Sequence, residues 1–323
     1  MKTAIITGIS GQDGAYLSRY LLDKNYKIIG IVRSQHQKNI QKLSYLKIEK
    51  DIIFEECDLT DITHIIQILE NYKPDEVYNL AAQSSVGISF QQPISTITFN
   101  TASVINILEA IKLVNNKIRF YQASSSEMYG KINALPINEQ TKYNPISPYG
   151  VSKANAHLIV SYYRNSEGLF ASSGILFNHE SFLRDQNFFC KKLISEAIRI
   201  RNKESDYIEV GNISIKRDFG YSAEYVKAMW RILQHAEPDD FIICSGKSIL
   251  LADIIKHVFN RFSLSNENLK VNKKLYRPNE IEDIYGDNSK AKKLLNWNYD
   301  MDFYDVLDII IQEELDYMNR NKK

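Results

Sequence analysis

The sequence contains few cysteines and almost no excess charge of either sign. Its only cysteines are Cys57, Cys190 and Cys244, an odd and widely spaced set with no CxxC pair. This set argues against a disulfide framework and against a structural zinc site, so we expect buried, reduced thiols and no metal. Lys and Arg total 40 against 39 Asp and Glu, which gives a net charge of +1. No overall field therefore draws the protein to nucleic acid or to an anionic membrane, and we expect its ligand to be recognised locally.

Long apolar runs, internal repeats and low-complexity segments are also missing. The apolar run near the N-terminus is interrupted by Gly8, Gly11 and Gly14 before it could form a signal or membrane segment, so we expect a cytoplasmic protein. What the sequence does have is size: 323 residues, of which 44% are hydrophobic, can bury a large core with a smaller lobe beside it.

Short β-rich runs alternate with helical patterns over the first 180 residues or so. The predicted strands are Thr3 to Thr7, Lys27 to Val32, Ile52 to Glu56, Glu76 to Ala81, Ile118 to Ala123 and Gly174 to Phe177. The predicted helices between them are Tyr16 to Asp23, Ile62 to Asn71 and Ala102 to Val114. This alternation predicts a Rossmann-type doubly wound parallel sheet with a smaller, interwoven α/β C-terminal lobe that binds substrate. We assign 1–178 and about 211–236 to the sheet domain, and about 179–210 and 237–323 to the lobe.

A glycine-rich turn follows the first predicted strand and opens a helix. Gly8, Gly11 and Gly14 would let the backbone approach a pyrophosphate, and Gln12 and Asp13 lie at the helix N-terminus, where free amides face an anion. The turn therefore predicts a dinucleotide site. The alternative is a tight turn without a ligand.

The end of the second predicted strand distinguishes the two nicotinamide dinucleotides. Arg33 and Ser34 stand where NAD enzymes usually carry an acidic residue, and this pair could hold a 2′-phosphate. NADP is therefore favoured, with NAD as the alternative if Arg33 is only solvated. Asp58, after the third strand, could accept a hydrogen bond from the adenine amino group or instead cap a helix.

Tyr149 and Lys153 are four residues apart and would share one face of a helix. Ser147 suits its N-cap and Pro148 its first position, which places both side chains in the first turns. A lysine ammonium nearby is expected to lower the pKa of the tyrosine from about 10, which makes the phenol a usable base for hydride-transfer chemistry. Ser125 and a second base, Glu127, end the fifth predicted strand and belong to the same predicted pocket.

Several segments together resemble the GDP-mannose 4,6-dehydratases of the extended short-chain dehydrogenase/reductase superfamily. They are TGISGQDG at 7–14, NLAAQS at 79–84, SSSEMYG at 124–130, SPY at 147–149, LFNHES at 176–181, KRDFG at 216–220 and RPNE at 277–280. The glycine turn and the YxxxK pair are common to the superfamily. The NHES and RDFG-like segments are typical of its GDP-sugar branch.

The resemblance implies a role for each matching residue. Tyr149 would take the proton of the sugar's 4-hydroxyl. Lys153 would adjust the pKa of Tyr149 and hold the nicotinamide ribose, and Ser125 would form a hydrogen bond with the 4-oxygen. Glu127 would take the C5 proton. Ser126 stands where other dehydratases carry an aspartic acid, so either Glu127 or water would protonate the leaving hydroxyl, and Glu127 is favoured. A tightly bound cofactor would be regenerated in each cycle. Further cofactor contacts are implied for Leu59, Leu80, Ala82, Leu176 and His179, and substrate contacts for Ser84, Ser85, Asn178, Lys192, Arg217, Arg277 and Glu280.

The chain departs from the family pattern at several positions. The loop Ser34 to Lys50 is shorter than the stretch that reaches a neighbouring subunit in the family, so we expect a homodimer, with a homotetramer as the alternative. Ser85 replaces a common histidine and Asn100 a common aspartate. The smaller Ser85 could make room at C2 of the sugar, so GDP-N-acetylglucosamine rivals GDP-mannose as the expected substrate.

Two other functions remain open from the sequence. One is a nucleotide-sugar epimerase or 4-keto reductase of the same superfamily, although relatives of this kind lack a glutamate at the position of Glu127. The other is a non-catalytic NADP-sensing protein, although such proteins often lose the tyrosine or lysine that this chain keeps.

Overall fold

The computed structural model describes residues 1–34 and 40–321, which contain twelve strands. In chain order they are β1 Thr3–Thr7, β2 Lys27–Val32, β3 Ile52–Glu56, β4 Glu76–Asn79, β5 Arg119–Ser125, β6 Ala171–Leu176, β7 Asn178–Glu180, β8 Ile208–Val210, β9 Lys216–Tyr221, β10 Asp240–Ile243, β11 Ser248–Leu250 and β12 Leu269–Val271. The predicted bounds of β1, β2 and β3 are confirmed to the residue, whereas β4, β5 and β6 are shifted at one or both ends.

Eleven α-helices connect and cover these strands. They are α1 Gln12–Leu22, α2 Gln41–Tyr45, α3 Ile62–Tyr72, α4 Val86–Gln91, α5 Pro93–Val114, α6 Pro148–Glu167, α7 Phe189–Arg201, α8 Ser222–Gln234, α9 Leu251–Phe262, α10 Ser289–Leu295 and α11 Phe303–Asn321. Two of them begin earlier than predicted. Helix α1 starts directly at the glycine turn, and α5 starts at Pro93, which occupies the first helical position, where its missing N–H costs nothing.

The seven-stranded sheet is parallel throughout and has the order β3-β2-β1-β4-β5-β6-β10. Side chains that alternate along each strand reach two different cores: Ile5 packs on the α3, α5 and α6 side, and Ile6 on the α1 and α8 side. The chain order reverses between β1 and β4. Open α/β sheets bind ligands at the carboxyl ends of their strands beside such a reversal.

Helix α5 is long and apolar enough to span a membrane by length and composition alone. In the fold it packs between α3 and α6, and Ile107, Leu108 and Ile111 are buried in the core beneath the sheet. Its apolar composition is therefore explained by its place in this core.

The smaller lobe contains a three-stranded sheet of β11, β9 and β7 and a two-stranded pair of β12 and β8. Helices α7, α9 and α11 cover a separate apolar cluster around Ile194, Val258 and Val306. The predicted division placed residues 237 onward in this lobe, but β10 pairs with β6 and completes the large sheet. We therefore propose the same interwoven division with β10 added to the sheet domain.

The three cysteines are buried and free, as expected for reduced thiols. The loop Ser34 to Lys50 includes residues 35–39, which lie outside the described residues, so its comparison with the family stays a prediction.

Candidate active site

Two cavities, of about 560 and 400 Å³, lie along the carboxyl ends of the large sheet. The first, the turn cavity, is lined by the glycine turn and the ends of β2, β3 and β4. The second, the catalytic cavity, is lined by the end of β5, the start of α6 and the smaller lobe. Asp13, Leu80, Ala82, Ser84 and Arg184 border both, so the two form one continuous cleft.

The glycine turn is shaped by close backbone contacts. Gly8 has a φ of +68°, and a Cβ there would lie 2.8 Å from the nitrogen of Ala81. A Cβ on Gly14 would lie 2.4 Å from the oxygen of Gly8. Because only glycine fits at these points, the backbone forms a shallow cradle at the start of α1 whose free amides suit a pyrophosphate.

The predicted cofactor residues are brought together in this cleft. Gly8, Gly11, Gln12, Asp13, Gly14, Arg33, Asp58, Leu59, Leu80 and Ala82 line the turn cavity. Tyr149, Lys153, Leu176 and His179 line the catalytic cavity. The residues present therefore fit an extended dinucleotide that runs from the end of β2 to the start of α6.

Arg33 and Asp58 lie at the far end of the turn cavity. The Arg33 side chain is exposed, and its guanidinium lies 4.9 Å from the ring centre of Phe99. Asp58 accepts hydrogen bonds from the backbone and hydroxyl of Thr60, while the cap of α3 is Asp61. A helix-cap role for Asp58 is therefore excluded, and its adenine contact stays a prediction.

Asp13 and His179 form a largely buried ion pair between the start of α1 and β7. His179 Nε2 lies 2.8 Å from Asp13 Oδ2, and Nδ1 lies 2.7 Å from the oxygen of Phe177. Both partners are acceptors, so the ring satisfies them only as an imidazolium. Burial alone would lower the pKa of His179 and raise that of Asp13, but their mutual charge and hydrogen bond raise the pKa of His179 and hold that of Asp13 well below its usual value.

This pair predicts a pH-dependent contribution to stability. A raised folded-state pKa means that His179 stabilises the fold below pH about 6.5 and loses this effect as pH rises through that pKa. A depressed pKa means that Asp13 stabilises the fold above pH about 4. We expect Asp13→Asn to lower the free energy of unfolding by about 3 kcal/mol at pH 6, and by less at pH 9, in urea titrations. Asp23→Asn, at the exposed end of α1, is the control; an equal loss at both pH values would contradict the charge pairing.

Helix α6 begins as predicted. Ser147 is its N-cap and accepts a hydrogen bond from the nitrogen of Gly150 at 3.0 Å, and Pro148 is its first residue. Tyr149 and Lys153 are both buried, and the Lys153 ammonium lies 5.8 Å from the ring centre of Tyr149. Lys153 Nζ donates to the oxygen of Ala123 at 2.8 Å. The end of β5 therefore fixes where the ammonium lies.

The predicted lowering of the Tyr149 pKa is wrong in direction. Burial raises the pKa of Tyr149 to about 12, and the negative charge of Glu127 adds to this, while a hydrogen bond with Ser125 opposes it. Burial also lowers the pKa of Lys153 to about 8. The sequence reasoning counted the charge of the neighbouring lysine and left out the cost of burying a phenolate.

Glu127 lies in a 3₁₀ turn, Ser126–Met128, directly after β5. Ser125 caps this turn by accepting a hydrogen bond from the nitrogen of Glu127 at 3.3 Å. The Glu127 carboxylate is 3.9 Å from the guanidinium of Arg277, which comes from the smaller lobe. A carboxylate, a phenol and an ammonium thus face one cavity from two adjacent elements, as acid–base chemistry on a bound ligand requires.

The predicted substrate residues divide into two groups. Ser84, Ser85, Asn178, Arg217 and Arg277 line the catalytic cavity. Lys192 and Glu280 are not among its lining residues: Lys192 is exposed and donates to the oxygen of Glu209, and Glu280 borders a separate cavity. Their substrate contacts stay predictions.

Comparison with known proteins identifies the family. The model of the GDP-mannose 4,6 dehydratase family matches residues 5–310. A GDP-mannose 4,6 dehydratase from Cricetulus griseus is 37% identical over 99% of this chain and 93% of its own length, and one from Drosophila melanogaster is 36% identical over 99% and 88%. The chain belongs to the GDP-mannose 4,6-dehydratase family.

Solved structures agree with the fold of this family. A dTDP-glucose 4,6-dehydratase from Streptomyces venezuelae, with NAD and TYD bound, superposes with a TM-score of 0.87 at 17% identity and covers 96% of each chain. A UDP-glucose 4-epimerase from Thermotoga maritima superposes with a TM-score of 0.86 at 20% identity, covering 99% of this chain and 100% of its own. At such low identity the likeness concerns the fold alone.

The sequence did not predict one residue of the site, Arg184. Arg184 borders both cavities, its guanidinium stacks 3.5 Å from the ring centre of Phe188, and it lies 3.6 Å from the carboxylate of the buried Glu180. Its Nε has no hydrogen-bond partner within residues 1–34 and 40–321. The available signal was the position of Arg184 shortly after the NHES segment. That segment follows the end of β6, and the ends of the parallel strands are where ligands bind.

Proposed function

We propose that this protein is a GDP-sugar 4,6-dehydratase that makes a GDP-4-keto-6-deoxy sugar by internal redox and loss of water. The observation that carries the proposal is the position of Glu127 in the same cavity as Tyr149 and Lys153. The pair alone would serve a simple dehydrogenase, whereas the glutamate supplies the base that elimination needs.

The first half of the reaction removes the 4-hydroxyl proton. Tyr149 takes this proton, Ser125 bonds the 4-oxygen, and Lys153 stabilises the phenolate that the raised pKa of Tyr149 would otherwise disfavour. The glycine turn, Tyr149 and Lys153 would hold a nicotinamide dinucleotide, which would supply the acceptor for the C4 hydride and its donor to C6.

The second half is an elimination assisted by Glu127. A ketone at C4 would acidify the C5 proton, which Glu127 removes to leave an enolate. Glu127 passes this proton to the 6-hydroxyl, so that water leaves as the C5–C6 double bond forms. A hydride delivered to C6, and the proton that Tyr149 took from the 4-hydroxyl returned to C5 through solvent, would complete the product and balance the cycle.

The GDP portion is assigned to polar side chains of the smaller lobe. Arg217 lines the catalytic cavity, it is buried, and its Nη2 has no hydrogen-bond partner in the described part of the chain. A planar guanidinium with a free donor is suited to a phosphate oxygen. Asn178 and Arg277 border the same space, and we assign Lys192 to nearby contacts and Glu280 to the nucleotide ribose.

The sugar itself is proposed to be GDP-mannose or GDP-N-acetylglucosamine. Ser85 borders the catalytic cavity and caps α4 by accepting a hydrogen bond from Ile88. Its small size favours an acetamido group at C2. A clear preference for GDP-mannose in kcat/KM would exclude this second substrate.

To test the function, the protein is incubated with GDP-mannose or GDP-N-acetylglucosamine without added reductant, and the mass of the product is measured by mass spectrometry. A dehydratase releases one water per substrate. An epimerase leaves the mass unchanged, and a reductase consumes NADPH in stoichiometric amount. An absence of any product would instead favour a non-catalytic protein.

NADP is the proposed cofactor, and Arg33 is its expected determinant. We expect Arg33→Glu to weaken NADP binding more than tenfold and to leave NAD binding nearly unchanged, because a carboxylate repels the 2′-phosphate and accepts from a 2′-hydroxyl. Fluorescence titration of each dinucleotide measures this, with the exposed Arg19→Glu on α1 as the control. Equal weakening of both dinucleotides would contradict the assignment.

A homodimer in the cytoplasm is the proposed state. Helices α5 and α6 lie side by side and expose apolar side chains at Ile94, Leu113, Leu158 and Tyr162. A second copy that covered these two helices would bury them. Sedimentation equilibrium distinguishes the dimer from a monomer or tetramer.

A further inference from the structure

Three buried polar residues form the last rung of the β1–β4 and β4–β5 pairings in the large sheet. Thr7 pairs with Asn79 at the end of β1 and β4, and Asn79 pairs with Gln122 at the end of the β4–β5 pairing. Each is no more than 2% exposed, and none of them lines the turn or the catalytic cavity. This rung crosses the point where the strand order reverses.

The hydrogen bonds along this rung have one direction. The Thr7 hydroxyl oxygen accepts from the nitrogens of Leu80 and Ala81, each at 3.1 Å, so its own hydrogen is donated onward to Asn79 Oδ1 at 2.6 Å. The amide of Asn79 must then point its Nδ2 at Gln122 Oε1, 2.8 Å away. The backbone of Leu80 and Ala81, directly after β4, thus sets the orientation of both amides.

The rung ends at the carbonyl that holds the catalytic lysine. With Oε1 engaged by Asn79, Gln122 donates from Nε2 to the oxygen of Ala123 at 3.2 Å. Lys153 Nζ donates to the same oxygen at 2.8 Å. One carbonyl is therefore fixed by the sheet on one side and binds the buried ammonium on the other.

We propose that Gln122, supported by Asn79 and Thr7, is a positioning residue that fixes the Ala123 carbonyl and through it Lys153. The proposal rests on the proposed function for its effect on turnover. It also links the backbone of Leu80 and Ala81, against which Gly8 packs, to Lys153 by an unbroken series of hydrogen bonds.

The first test replaces Gln122 with Met, which has similar length but neither donates nor accepts in this way. We expect kcat to fall about tenfold to a hundredfold, with KM for the GDP-sugar unchanged because Gln122 does not touch the cavity. Tyr121→Phe is the matched control: it is the adjacent buried residue of β5, and its hydroxyl has no hydrogen-bond partner in the described ranges. A wild-type kcat in Gln122→Met would overturn the proposal.

A combination with Lys153→Met separates positioning from a general structural effect. If Gln122 acts through Lys153, adding Gln122→Met to Lys153→Met changes kcat by less than about twofold. If the fold loss of kcat in the double variant equals the product of the losses in the two single variants, Gln122 acts by another route.

Gln122→Glu provides a test that does not depend on the apolar variant folding. The carboxylate introduced by Gln122→Glu can still accept a hydrogen bond from Asn79, but it repels the Ala123 oxygen. When the carboxylate is protonated, it can donate a hydrogen bond to the Ala123 oxygen. We expect its kcat relative to wild type to recover as pH falls. A ratio that does not vary with pH would contradict the proposed donor role.

A last measurement in the free protein needs no turnover. The carboxylate of Gln122→Glu would face the carbonyl oxygen that the ammonium also binds, so NMR titration of labelled lysine should give a higher pKa for Lys153 than in the wild type. If the wild type dehydrates no GDP-sugar, the proposed function fails while this titration still decides the positioning role. An unchanged pKa of Lys153 would overturn the positioning role of Gln122.

Discussion

Replacing Glu127 with Gln should lower kcat for dehydration by about 10²–10⁴ and leave dinucleotide binding unchanged. Glutamine keeps the size of the side chain and can still face Arg277, but it cannot take the C5 proton. Glu127 borders the catalytic cavity and does not border the turn cavity, so the dinucleotide should bind as before.

Two measurements check this expectation. Mass spectrometry follows loss of water, and exchange of the C5 proton with deuterium in the solvent follows the proton-transfer step alone. Both should fail in Glu127→Gln, and Glu237→Gln, at an exposed position after α8, should behave as wild type. If dehydration continued at the wild-type rate, Glu127 would not be the elimination base.

Replacing Tyr149 with Phe should lower kcat by a similar factor of about 10²–10⁴ and stop the reaction one step earlier. The ring would still fill its buried position, so we expect little loss of stability. Neither C5 exchange nor loss of water should occur, because no 4-ketone forms to acidify C5. Both readouts also fail in Glu127→Gln, so oxidation at C4, followed as the absorbance of reduced nicotinamide, distinguishes the two variants: it can still take place in Glu127→Gln and should not occur in Tyr149→Phe.

Tyr163→Phe on the same helix is the control for this prediction. Tyr163 is also buried, but its hydroxyl donates to Glu109, and it lies far along α6 from the catalytic cavity. It should retain wild-type kcat. Turnover of Tyr149→Phe at the wild-type rate would mean that another group removes the 4-hydroxyl proton.

Local signals in the sequence predicted the elements that carry the site. The glycine turn depends on three closely spaced residues, and the start of α6 depends on Ser147 and Pro148, which act on neighbouring backbone groups. Interactions of this range are readable from sequence because the partners are only a few residues apart. The bounds of β1, β2 and β3 were predictable for the same reason, since each is a short run rich in β-branched residues.

The features that the sequence did not predict all depend on distant partners. Strand β10 has only four residues, and it was assigned to the wrong domain because only its pairing with β6 places it in the large sheet. The ion pair of Asp13 with His179 joins residues 166 positions apart. Arg184 borders the cleft in a segment that contacts α1 through the hydrogen bond of Ser181 with Gln12, 169 positions away.

The sequence alone determined which chemical groups this protein can use: a glycine turn, a tyrosine and lysine on one helix face, and a glutamate beside them. Only the tertiary structure decided their protonation and their anchoring. Burial, which raises the pKa of Tyr149 and lowers that of Lys153, is a property of the surrounding fold. The carbonyl that holds Lys153 is fixed by side chains of three strands that meet only when the sheet is assembled.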